Sequence, residues 1–180
     1  MRRKSITSEM MKSYIIDALL LLMEHTNFTD LTIGDIVKKA GVNRSTYYRH
    51  FSSKEDVIKT FLRNISKDIL EWDKRAERTF EEHLINVYRH YDKHKKQMLT
   101  IYQNNLSILF LNVLEEYLGT DSHTCESATT QYDIAFHIGG TFNQFMLWFS
   151  RDMKDSPEEM AAYTLRILPE QLIEHIWNAN

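Results

Sequence analysis

The sequence is poor in cysteine, proline and glycine, with one, two and five in 180 residues. A single thiol, Cys125, excludes an intrachain disulfide framework and fits a reducing compartment. So few chain breakers exclude collagen-like and Pro/Gly-rich disordered chains and leave room for long helices. Long apolar runs are also missing. The richest, Ala18-Leu19-Leu20-Leu21-Leu22-Met23, is too short to span a bilayer, and no small-residue cleavage site follows it. No membrane association is expected, and the expected location is the cytoplasm.

What is present suits a globular fold. Hydrophobic residues make up 43% and charged residues 26%, and a chain of this length buries about 70% of its unfolded surface. The net charge of −3 hides an asymmetry. Residues 1–63 hold 11 Lys and Arg against 7 Asp and Glu, whereas residues 64–180 hold 11 against 18. A basic front end on an acidic body points to a polyanionic partner at one end only.

Helical periodicity dominates and no strand pattern is evident, so the expected fold class is all-α. A first helix starts near Thr7 or Ser8, with Met11, Ile15, Ala18, Leu19 and Leu22 on one face. Asn27 is a candidate left-handed terminator. Thr32 is a plausible N-cap for a short helix from Ile33 to Ala40 that Gly41 ends. Asn43 or Arg44 opens a third helix to about His50. Ser52/Glu55 or Ser53/Asp56 can form the capping box of a fourth, with Val57, Phe61, Ile65, Ile69 and Trp72 inward. Further helices are expected near 79–93, 95–104, 106–118, 127–152 and 157–177, with Pro169 kinking or splitting the last.

The stretch from Ile33 to Phe51 carries the chemistry. Two short helices joined by Gly41-Val42-Asn43 have the helix-turn-helix layout, and Ile36, Val37, Ala40, Val42 and Tyr47 are spaced to pack them together. The second helix then turns Arg44, Ser45, Thr46, Tyr48, Arg49 and His50 outward. Cationic, polar and aromatic groups on one short helix suit a DNA major groove. Tyr47 and Phe51 read as core, and His50 has a second reading as a cap of its own helix end.

The run from Ala40 to Glu55, AGVNRSTYYRHFSSKE, resembles the signature of TetR-family transcriptional regulators, with similarity over roughly residues 10–60. The resemblance implies a helix-turn-helix DNA-binding domain at 1–55 and a helical regulatory and dimerisation domain at 56–180. It implies base reading by Arg44, Ser45 and Thr46, and phosphate contacts from Thr32, Tyr48, His50 and Lys54, with Arg49 on the same surface. Arg2, Arg3 and Lys4 would form an arm reaching the minor groove.

In the body, no nucleophile with a positioned base stands out, so an enzyme is not expected, nor is a cofactor. His90 and His94 have i,i+4 spacing but lack companion ligands, so no metal is expected. Residues 131–153 are apolar nearly all round, which implies burial on two faces. Gly139, Gly140, Asn143 and Leu147 lie on the face assigned to a homodimer partner. By the resemblance, a small-molecule effector of unknown identity would bind among Met98, Tyr102, Phe110, Phe136, His137 and Phe142, for each of which plain packing is the alternative. The pattern Tyr132-x3-Phe136-x2-Gly139, Trp148 and Ser156-Pro157-Glu158-Glu159-Met160 resembles a Gram-positive subgroup that includes regulators of dihydroxyacetone metabolism. The implied function is a dimeric regulator of a palindromic double-stranded DNA operator, by default a repressor. The alternative is a DNA-associated interaction or architectural protein without an effector.

Overall fold

Local capping sets where the helices begin. The computed structural model describes residues 2–74, 78–118, 128–169 and 173. Among these, nine helices follow in order and no strand occurs: α1 (Arg2–Met23), α2 (Ile33–Ala40), α3 (Arg44–His50), α4 (Lys54–Asp73), α5 (Phe80–Lys93), α6 (Lys95–Gln103), α7 (Ser107–Leu118), α8 (Ala128–Ser150) and α9 (Pro157–Ile167). The fold is all-α. Thr32, Thr79 and Ser156 each close a reciprocal capping box with the acid three residues on. Ser53 Oγ accepts from Asp56 N–H, while the Asp56 carboxylate accepts from the backbone N–H and hydroxyl of Ser52. Gly41 sits at φ 67°, the left-handed turn that ends α2 at no steric cost.

Two expectations are corrected. The first helix begins at Arg2 rather than near Thr7 or Ser8, so Arg2, Arg3 and Lys4 form its first turn. Asn27 is not left-handed: α1 ends in a turn in which the N–H groups of His25 and Thr26 both donate to Leu22 O. The break expected at Pro169 agrees with the described residues: α9 stops at Ile167, Leu168 is held extended by the following Pro169, and Ile173 is helical again, its N–H donating to Pro169 O at 3.2 Å. Residues 119–127, with Cys125, and most of the segment beyond Pro169 lie outside the described residues.

One continuous apolar cluster runs from Ile15 on α1 to Ala161 on α9. The division at residue 55 therefore falls inside α4, whose Val57, Ile58, Phe61 and Leu62 are all buried. Arg63 binds Glu116 with two bonds of 2.7 and 2.8 Å and ties α4 to α7. The arginine holds the Glu116 carboxyl below its ordinary pKa. In the body, Phe110, Tyr91, Phe145, Trp148 and Phe149 stack and edge against one another at centroid spacings of 5.0–6.2 Å. Tyr88 joins them and places its hydroxyl 2.7 Å from that of Thr164, which fixes α5 to α9. Among the described residues no helix is long and apolar enough to cross a membrane.

Candidate nucleic-acid interface

The short helix α3 is held rigidly at its start. Asn43 Oδ1 accepts from the backbone N–H of Thr46 and from the hydroxyl of Ser45, each at 2.8 Å. At its other end, Phe51 N–H donates to Tyr47 O at 2.9 Å. Tyr47 is fully buried and Phe51 nearly so. This buried pair leaves the rest of α3 facing out. Arg44, Ser45, Tyr48 and Arg49 are exposed, with Thr46 and His50 half-buried beside them. Tyr48, 59% exposed, has its ring set edge-on to Tyr47. Arg49 Nη2 reaches back to Thr46 Oγ1 at 3.4 Å.

Arg44 lies against α2. A Cβ added to Gly34 would come within 3.3 Å of both Arg44 Nη2 and Thr32 Oγ1, so the missing side chain is what gives the guanidinium its seat. Thr32 is closed on its own helix. Its N–H and hydroxyl both donate to Asp35 Oδ2, at 2.9 and 2.6 Å, and these bonds lower the Asp35 pKa. A carboxylate thus sits at the start of α2. Burial first, then Lys12 and Arg49, lower the His50 pKa, with Glu9 opposing.

Lys54 is committed inside the head. Its ammonium donates to Phe28 O and Leu31 O, each at 2.6 Å, and lies 4.5 Å from the centroid of the Phe28 ring. That leaves one N–H free of these two bonds. Gly34 and Asp35, which the sequence reading passed over, and the cap Asn43, which it offered as an opening of α3, therefore shape this surface. The Asn43-x-x-Thr46 and Thr32-x-x-Asp35 spacings were the available signals for two of them.

The expected effector residues divide. Met98 and Phe110 are buried in the aromatic cluster, while Tyr102 and Phe142 are half-buried against Phe149 and Phe110. Phe136 was expected inside but stands 76% exposed, with His137 half-buried at its side. The inward row of α8 is Ile134, Ile138, Phe145 and Phe149, and helical geometry sends Phe136 to the opposite side.

The outward row of α8 holds Tyr132, Phe136, Gly139, Gly140, Asn143 and Leu147, with Leu147 62% exposed. Asn143 Nδ2 donates to Gly139 O. A Cβ on Gly139 or Gly140 would touch nothing among the described residues. Gln144 bonds Thr164 at 3.0 Å and sets α9 beside α8, and α9 exposes Tyr163 and Ile167.

Residues 15–60 match the family profile described as bacterial regulatory proteins, tetR family. A stretch of 70 residues, 39% of the chain, is 29% identical to an uncharacterized HTH-type transcriptional regulator, YxbF, of Bacillus subtilis (strain 168). The match spans only 18% of that relative's length. The fold resembles a TetR transcriptional regulator from Streptococcus agalactiae 2603V, with a TM-score of 0.65 and 20% identity over 92% of this chain and 97% of that one. It also resembles the dihydroxyacetone kinase operon activator DhaS, with a TM-score of 0.51 and 15% identity over 93% and 97% of the two chains.

Proposed function

We propose that the chain, whose residues 15–60 match the tetR family of bacterial regulatory proteins, is a dimeric, sequence-specific DNA-binding regulator that represses by occupying its operator. The observation that carries this reading is α3: a helix capped by Asn43, anchored by buried Tyr47, and presenting Arg44, Ser45, Tyr48 and Arg49 to solvent. Side chains near the N-terminus of such a helix reach base edges, and arginine pairs with guanine through two bonds. Arg44, Ser45 and Thr46 are assigned to bases. Tyr48, Arg49, His50 and the free N–H of Lys54 are assigned to the phosphate backbone, and Thr32 joins them only by giving up a bond to Asp35.

A second copy is the proposed partner of the α8–α9 face. Tyr132, Phe136 and Leu147 are too large and too exposed to be explained by the protomer alone. Gly139 and Gly140 weaken their own helix by about 0.5–1 kcal/mol each and meet nothing among the described residues, which supports close approach by another backbone. Pairing across this face gives the two-fold symmetry that a palindromic operator matches. An apolar organic effector is proposed within the body, where Tyr102 and Phe110 both face Phe149. It would act through its differential affinity for two spacings of the paired heads.

The test is selection of duplexes from a random-sequence pool by the purified chain, with and without Arg44→Ala. A recovered inverted repeat is expected, and Arg44→Ala should relax one base position in each half by about 1–3 kcal/mol. Sequence-blind recovery by the wild-type chain would overturn the reading.

A further inference from the structure

The segment that leads into α2 is gripped from two sides. On one side, Lys54 of α4 holds the carbonyls of Phe28 and Leu31. On the other, the N–H of Phe28 donates to Asn104 Oδ1 at 2.8 Å. Asn104 belongs to the body, 76 residues further on, where it caps the end of α6. Its own amide is oriented by a second bond, from Nδ2 to Thr100 O at 2.9 Å. With Nδ2 facing a carbonyl and Oδ1 facing an N–H, this orientation alone satisfies both ends of the side chain. Asn105 follows at φ 59°, a left-handed turn that fixes the direction in which α6 ends.

The helix that carries Asn104 is itself anchored. Lys96 bonds Glu24, one residue past the end of α1, at 2.7 Å. Lys95 donates to Met153 O in the turn after α8 at 2.7 Å. Thus α6 and its cap bridge the α8–α9 turn to the start and the middle of the short segment that joins α1 to α2. That segment ends at Thr32, the cap of α2, and α2 seats Arg44 at Gly34.

We propose that Asn104 is a positioning residue for DNA reading: its bond to the Phe28 N–H fixes the α1–α2 segment, and with it α2 and the seat of Arg44. Asn104 touches no DNA in this scheme. The inference rests on the DNA-reading function proposed above. Releasing Phe28 leaves its N–H without this partner and lets the segment sample arrangements in which α2 and α3 are not jointly seated. If the competent arrangement falls to about a tenth of the population, affinity falls about tenfold. No phosphate contact is lost, so the dependence on salt stays the same.

The experiment uses the full chain as wild type, Asn104→Ala and Asn104→Asp. The probe is a duplex enriched by the wild-type chain from a random-sequence pool, titrated across a salt series. Amide exchange at Phe28 is followed by NMR in the absence of DNA. Asn104→Ala is expected to expose the Phe28 amide and weaken binding about tenfold at every salt concentration, with an unchanged slope. Asn104→Asp keeps the acceptor oxygen but loses the donor that faces Thr100 O, so it should restore protection and affinity only in part, above Asn104→Ala. Tyr88→Phe, which removes a buried bond of the body core, serves as a control that lowers stability without touching the segment and should bind as wild type. The proposal fails if Asn104→Ala exposes the Phe28 amide yet binds normally, if it weakens binding no more than Tyr88→Phe does, or if the Phe28 amide already exchanges freely in the wild type. Should the wild type enrich no sequence, the DNA-reading function falls and the positioning role with it. Phe28 protection would then still report whether the bond itself exists.

Discussion

Replacing Lys54 with methionine separates a lysine that builds the head from one that only touches a phosphate. Methionine keeps most of the apolar stem and removes the ammonium. In the structure the ammonium makes two bonds of 2.6 Å to the carbonyls of Phe28 and Leu31 and covers the Phe28 ring. Deleting a bond to a charged group costs about 1.5–3 kcal/mol when the partner stays dry. Lys54 is half-buried, so water recovers part of each carbonyl and the low end of that range applies. The cation–ring contact adds about 0.5–1 kcal/mol. Together these place Lys54→Met about 2–3 kcal/mol below wild type. A lysine waiting in solvent for a phosphate would change stability by less than about 0.5 kcal/mol. Urea unfolding distinguishes the two, with both proteins at the same concentration because a dimer's midpoint depends on it. A variant within about 0.5 kcal/mol of wild type, with an unchanged slope in urea, would refute the structural role of this ammonium.

Three further predictions concern the same surface. Tyr47 has a buried hydroxyl with no bonded partner, and burial, then Glu55 and Asp56, push its pKa up to about 12. Tyr47→Phe should therefore raise stability by about 1 kcal/mol in a thermal melt, and a loss would reveal a partner for the hydroxyl. Gly34→Ala should stabilise α2 by about 0.5–1 kcal/mol while shifting the Arg44 guanidinium by a few tenths of an ångström. Selection with that variant should change preference at the base read by Arg44 and at no other, and an unaltered preference would separate Arg44 from α2. The lowered pKa of His50 means that the unfolded chain takes the proton first, so stability falls as the pH drops below about 6.5. A phosphate beside the ring reverses that preference. Calorimetry of DNA binding near pH 6.5, in buffers of different ionisation enthalpy, should show proton uptake that His50→Gln abolishes.

How much of this could be read from the sequence depended on the range of the interaction. The bounds of α2 and α3 were legible because their determinants lie within three or four residues: Thr32 with Asp35, Gly41 at positive φ, and Asn43 with Thr46. The start of α9 was legible for the same reason, through Ser156, Pro157 and Glu159. Met1 precedes Arg2 in the sequence and is not a capping residue type, so the beginning of α1 at Arg2 had no local signal. Phe136 was misplaced because α8 is apolar nearly all round, and a pattern without a polar face does not say which side faces the core.

Lys54 and Asn104 show the limit most clearly. In the sequence Lys54 reads, by the family resemblance, as a phosphate contact at the start of a helix, and Asn104 reads only as the end of one. Their partners lie 26 and 76 residues away, and the atoms they bind are backbone groups of Phe28, whose side chain gives no hint of them. Backbone partners leave no residue-type signature, since every non-proline residue offers the same N–H and C=O. The base-facing side chains of α3 could therefore be picked out from sequence by their polarity and spacing. The groups that hold α3 at a set angle could not. If affinity depends on that angle as the Asn104 experiment tests, the residues that set it are found by following backbone hydrogen bonds between head and body, and residue pattern alone will pass over them.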